Sequence, residues 1–164
     1  MPRAESPRAE SPEADDAPAP EVLLLRIGDQ EWALPATAAQ EVVRWRPATR
    51  VPGAPSWVVG LVNLRGAVVP VADLTFRLSG RPVNRAAGWI VLVEDGARRG
   101  GFLVCTVRDV RTVAESLPDA PTPAGAPARG AVRVARMEGE AEEATVPLLD
   151  PAILLDELTA EGDR

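Results

Sequence analysis

Residues 60–78, GLVNLRGAVVPVADLTFRL, constrain this chain more than any other stretch: a strand, a tight turn and a second strand follow one another in one short window. Residues 60–64 are an apolar run with one polar interruption, Arg65-Gly66 supplies a turn, and residues 67–71 resume with β-branched side chains suited to a half-buried pleated surface. A generic hairpin tip favours Asn-Gly or Asp-Gly. Here Asn63, Leu64, Arg65 and Gly66 instead set an amide, an aliphatic and a fixed cation beside the glycine, a group that can be aimed at a partner. The 17 prolines and 13 glycines are spread between short apolar runs, which excludes a helix bundle and favours short strands throughout the 164 residues.

Taken in order, residues 1–20 contain Pro-Arg-Ala-Glu-Ser twice and then proline, alanine and acids, with no bulky aliphatic to offset the entropy of ordering. They read as a disordered tail, an inert solubilising arm in preference to the alternative of a tether or docking segment. Residues 22–27 and 31–34 make a first hairpin around Gly28-Asp29-Gln30, with Trp32 on one face; Pro35 stops the ladder, and alanine-rich residues 36–40 suggest a helical turn. Residues 45–55 form a loop, and Arg44 just before it could make a small basic edge with Arg46 and Arg50, although most such clusters are simply solvated. Asp73 is an N-cap for a short helix over 74–78, preferred to a metal ligand because no second carboxylate or histidine is near.

The second half begins after a linker at 79–87, with strands expected at 88–94, 101–107 and 109–114. An exposed excursion at 118–129 follows, then a half-exposed strand at 131–137, an acidic turn at 138–143 and a last strand at 145–149. Asp150-Pro151 opens a helix to Leu158 with Ile153, Leu154 and Leu158 buried, and residues 159–164 are a tail. Phe102, Leu103 and Val104 are core, and Cys105 beside them a small buried hydrophobe. Many short strands separated by turns argue for small barrels.

The chain lacks histidine, lysine and tyrosine and has one cysteine, which removes the usual general base, the Cys/His pair, most zinc sites and the lysine-bearing phosphate loop. No catalytic, cofactor or metal residue is expected; the pattern is of a protein that binds and does not transform. Residues 1–21 hold two arginines and six acids, so four of the six net negative charges sit there and the nearly neutral body offers no basic stripe for nucleic acid. No apolar run reaches the roughly 18–20 residues of a membrane helix, and no secretion signal opens the chain, so a cytoplasmic protein without direct membrane insertion is expected.

Asn63-Leu64-Arg65-Gly66, followed by Val68-Val69-Pro70-Val71 and Asp73-Leu74, resembles the signature of the CheW-like family, the coupling proteins of bacterial chemosensory arrays. Leu34-Pro35, Gln40 to Val43, Val51 to Pro55 and Trp57 to Gly60 fall in the family's order, so the resemblance covers residues 21–158. It implies a mainly all-β fold of two SH3-like five-stranded β-barrels with a few short helices, a C-terminal helix and a hydrophobic groove between the barrels. It also implies an adaptor that couples a chemoreceptor cytoplasmic tip to the regulatory domain of a CheA-type histidine kinase, held at membrane-associated arrays through those partners. The alternative is a paralogue that fills array positions or serves another pathway. On this resemblance Glu41 pairs with Arg65 to orient the docking surface, the plainer reading being two solvated charges. Val42, Val58, Val59 and Leu64 line the groove, Asn63 belongs to the turn, and Gly60 and Gly66 permit close backbone approach.

Overall fold

The computed structural model describes residues 19–81, 84–135 and 143–162. The expectations for residues 1–18, for Arg136 and Met137 at the end of one strand, and for the acidic turn through Glu142 lie outside the described residues. Ten strands form two five-stranded sheets: β1 (Glu21–Ile27), β2 (Gln30–Pro35), β3 (Ala39–Arg44), β4 (Val58–Leu64), β5 (Ala67–Asp73), β6 (Trp89–Asp95), β7 (Arg98–Val104), β8 (Thr106–Leu117), β9 (Ala128–Val134) and β10 (Ala144–Leu149). Helix α1 (Leu74–Ser79) follows β5, a 3-10 turn occupies Arg85–Ala87, and α2 (Pro151–Gly162) ends the described chain.

The first sheet closes as a barrel in the order β1-β2-β10-β9-β8, and the second has the order β3-β6-β7-β5-β4. The second unit is thus inserted between β2 and β8 of the first. These are the two SH3-like subdomains expected, and each contains one parallel pair: β10 runs parallel to β2, closing the first barrel, and β5 parallel to β7 inside the second sheet.

A single apolar cluster joins the units. Leu25, Trp32 and Leu34 of the first barrel meet Val91, Val93 and Phe102 of the second, and Leu154, Leu155 and Leu158 of α2 close over them. Gly100 lets that helix approach, since a Cβ there would stand 2.7 Å from Leu155 and 2.8 Å from Leu158. The junction is therefore core along most of its length. It opens at one end into a cavity of about 610 Å³ lined by Ile27, Trp32, Arg77, Leu78, Pro123 and Ala126, among others.

Arg77 fastens this end of the molecule. Its guanidinium makes two 2.9 Å bonds to the Glu157 carboxylate, donates to the Gly125 carbonyl at 3.1 Å and lies over the Trp57 ring. The paired carboxylate raises its pKa above the ordinary arginine value, with burial opposing. A raised arginine pKa stabilises the fold at every pH below that ordinary value, and the gain is lost only in strong alkali. Local pattern holds no signal for such a residue, because its partner lies 80 positions away.

Several expectations shift. Residues 36–38 form a turn closed by Ala38 N–H to Pro35 O (3.0 Å), not a helical segment, and Pro35 stays within β2 opposite Val22. Strand β7 starts at Arg98 and not at 101, because Arg98 and Arg99 reach Asp95 and Glu94 across the hairpin. Strand β9 starts at Ala128, and Pro127 is buried, so the excursion ends earlier than expected. In α2, Leu155 replaces the half-buried Ile153 on the packed face, and the helix passes Leu158 to reach Gly162. Cys105 is half-buried, its sulfur 3.5 Å from the Thr75 hydroxyl.

Candidate docking surface

Leu64 and Ala67 are paired, so Arg65 and Gly66 form a two-residue hairpin loop with φ of 54° and 81°, the type I′ pattern. Among the described residues Arg65 is the one non-glycine with positive φ. The left-handed conformation costs an L residue roughly 1–2 kcal/mol, and asparagine would fit this tip with less strain. The Asn63 side chain locks the loop by accepting from Gly66 N–H at 3.0 Å.

Held this way, Arg65 projects from the tip with its side chain 76% exposed and donates from Nε to Glu41 Oε2 at 3.0 Å. Glu41 lies on β3 and Arg65 follows β4, the two edge strands of the second sheet, so the ion pair spans the seam where that sheet curls towards itself. Arg46 adds a second tie, donating to the Asn63 carbonyl at 3.2 Å. The main chain adds a third: Thr49 and Leu61 exchange N–H to O=C bonds of 2.9 and 2.8 Å. Gly60 makes this last contact possible, because a Cβ there would stand 2.3 Å from the Thr49 carbonyl oxygen.

The nine residues singled out in the sequence divide. Glu41, Asn63, Arg65 and Gly66 meet at the seam, and Val42 is exposed on β3 beside them. Val59 and Leu64 face inward to the second barrel's core with Val62, Val69 and Ile90. Val58 and Val59 border a cleft of about 340 Å³ under the loop at 45–56, together with Trp45, Arg50, Phe76 and Arg85. Val42 and Leu64 do not line this cleft. A bulge between Val58 and Gly60 shifts the pairing of β4 with β5, so Val59 and Gly60 are both buried and simple alternation fails there.

Leu61 and Val68, which sequence reasoning left out, carry the exposed apolar surface of the hairpin; Val68 is 62% exposed. They are opposite or adjacent to Asn63 on the outward face, since Asn63 pairs with Val68 and Leu61 with Pro70. Alternation from Asn63, a polar residue that must face water, would have found them. The site is then a ridge of exposed valine and leucine beside a fixed, outward guanidinium. Among the described residues no three His, Cys, Asp or Glu side chains are grouped to hold a metal ion, and no helix is long and apolar enough to cross a membrane.

If the Arg65 conformation serves the surface and not the fold, Arg65→Asn should be as stable as the native chain or up to about 0.5 kcal/mol more stable, the relief of strain offsetting an exposed ion pair worth about 0–1 kcal/mol. Thermal unfolding measures this. A loss above about 1 kcal/mol would mean that the pair with Glu41 supports the barrel itself.

The family model of the CheW-like domain matches residues 21–159. The probable chemotaxis protein CheW of Rhizobium etli is 38% identical over 104 residues, which is 63% of this chain and 66% of that protein. The chemotaxis protein CheW of Rhizobium meliloti is 38% identical over 96 residues, 58% of this chain and 62% of that protein. The chain thus spans just under two thirds of these relatives' lengths. Among solved structures, the scaffolding protein TtCheW from Thermoanaerobacter tengcongensis shares the fold with a TM-score of 0.66 at 22% identity, over 80% of this chain and 89% of that one. With the family's domain matched from the first strand into the last helix, the chain belongs to the CheW-like family.

Proposed function

We propose that this protein is a non-enzymatic adaptor that couples chemoreceptor cytoplasmic tips to the regulatory domain of a CheA-type histidine kinase. The observation that carries the reading is the seam: a strained arginine held outward by Glu41, flanked by exposed Val42, Leu61 and Val68 on a rigid hairpin. Fixed cations and apolar side chains on a preformed surface suit a protein partner, where arginine is among the commonest hot-spot residues. Membership of the family and relatives named as chemotaxis proteins support the same reading. The adaptor acts by simultaneous binding. Holding the receptor tip and the kinase domain together makes their encounter intramolecular and raises its effective concentration. No phosphoryl group passes through the adaptor.

The test is capture of a receptor signalling tip and a kinase regulatory domain from the same source, with the native protein and with Arg65→Ala after both are shown to fold. Binding to both is expected, weakened in the variant by about 1–2 kcal/mol, or roughly five- to thirty-fold. Binding to the kinase alone would favour a paralogue that fills array positions, and binding to neither would overturn the proposal.

A further inference from the structure

The seam has an electrostatic property that partner coupling does not by itself explain. Residues 42–72 contain four arginines, Arg44, Arg46, Arg50 and Arg65, and no acid, in a chain whose net charge is −6. The neighbouring acid, Glu41, is already taken up by Arg65. Arg44 lies over the Trp89 ring at 4.5 Å, Arg46 donates to a main-chain carbonyl and Arg50 borders the cleft under its own loop. Among the described residues none of these three has an acidic partner, whereas Arg77, Arg98, Arg99, Arg108, Arg129 and Arg133 each do.

A complementary segment exists in the same chain. Residues 10–16, Glu-Ser-Pro-Glu-Ala-Asp-Asp, hold four acids and no cation. We propose that residues 10–16 dock on the cationic face formed by Arg44, Arg46 and Arg50 and shield it until a partner displaces them.

The geometry of the attachment point supports this. Glu21 accepts from Ala36 N–H at 3.0 Å, and Pro20 accepts from Val113 N–H at 2.9 Å, so the N-terminal segment joins the fold beside the turn that leads into β3. Because β1 and β2 are antiparallel, the chain before Glu21 and the chain after Pro35 leave the sheet at the same end. From Ala39 to Arg44 is about 17 Å at roughly 3.3 Å per strand residue. Residues 10–16 lie four to ten positions before Pro20, and the intervening Ala-Pro-Ala-Pro favours an extended spacer of about 3.1 Å per residue, a reach of roughly 12–31 Å. That reach is of the same order as the length of β3, at whose far end Arg44 stands. A short tether holds the two at an effective concentration in the millimolar range, so several weak contacts suffice for substantial occupancy.

The test compares amide NMR spectra of the full chain with those of a full chain carrying E10Q, E13Q, D15N and D16N. Shift differences are expected at residues 42–50, far from the substitutions in sequence. They should be unchanged on tenfold dilution and lost at 1 M salt, where the Debye length is about 3 Å. The converse variant, R44Q with R46Q and R50Q, should shift the amides of residues 10–16. Differences confined to residues 1–22 and their strand neighbours would overturn the proposal. So would differences at 42–50 that fade on dilution, which would assign the contact to a second copy.

Discussion

Gly60→Ala should lower the unfolding free energy by about 3 kcal/mol or more, and with it the melting temperature by about 10 °C in a domain of this size. Gly60 combines a φ of 142°, which side-chain-bearing residues rarely adopt, with contact against main chain. A methyl group there would stand 2.3 Å from the Thr49 oxygen, 2.8 Å from its carbonyl carbon and 3.2 Å from Arg50 N. None of these is the end of a flexible side chain, so the loop at 45–56 must lift away, and the paired Thr49 and Leu61 bonds go with it. Gly53→Ala supplies the control: its φ is 82°, but nothing lies within 4 Å, so only the conformational cost of about 1 kcal/mol applies. Thermal unfolding of the two variants separates collision from backbone preference; equal losses would mean that the loop yields freely. Because the loop carries Arg46 and Arg50, Gly60→Ala should also disturb the cationic face.

The contrast between these glycines shows where sequence reading reaches its limit. The Arg65-Gly66 tip is legible because two short apolar runs leave only those residues for a turn, and the Asp73 and Asp150 caps because each stands just before a short helical pattern. The pairing of Glu41 with Arg65 came from the resemblance alone, since 24 positions separate the two. Inward and outward faces were harder. One bulge at Val59 breaks the alternation of β4, so Val59 and Gly60 are both buried, whereas beyond it regular alternation puts Val62 and Leu64 inside and Leu61 outside. In Ile153-Leu154-Leu155 three aliphatics in a row carry no phase, so only the packing against Gly100 decides that Leu155 is inside. The Ala36 to Gln40 stretch has helix-forming composition, yet the strand pairing of β3 with β6 overrides it. Local chemistry is readable where a turn or cap demands it, and facing is readable only where the strand is regular.

Asp73→Ala should be the most damaging exchange of a polar residue in the fold, costing about 3 kcal/mol, whereas Asp73→Asn should cost about 1 kcal/mol. Asp73 is fully buried at the end of β5, where its N–H donates to the Trp57 carbonyl at 2.7 Å. Its Oδ1 caps α1 by accepting from Phe76 N–H at 3.1 Å, and Oδ2 faces Arg85 Nε at 3.5 Å. The carboxylate thus fixes the start of α1 and the 3-10 turn that leads into β6, while the main-chain N–H holds the loop before β4. Alanine removes the cap, opens a void in the wall of the second barrel and leaves the Arg85 Nε atom, itself shielded from water, without its counter-charge. Asparagine keeps the capping oxygen and most of the volume and loses only the charge. Because Arg85 is about one-third exposed, its head can turn partly to water, which keeps the Asn penalty small. Denaturant unfolding of the two variants decides the matter. If Asn is as harmful as Ala, the charge facing Arg85 governs and the cap is secondary; if both are mild, the junction of α1 and β5 is held by its main-chain bonds alone.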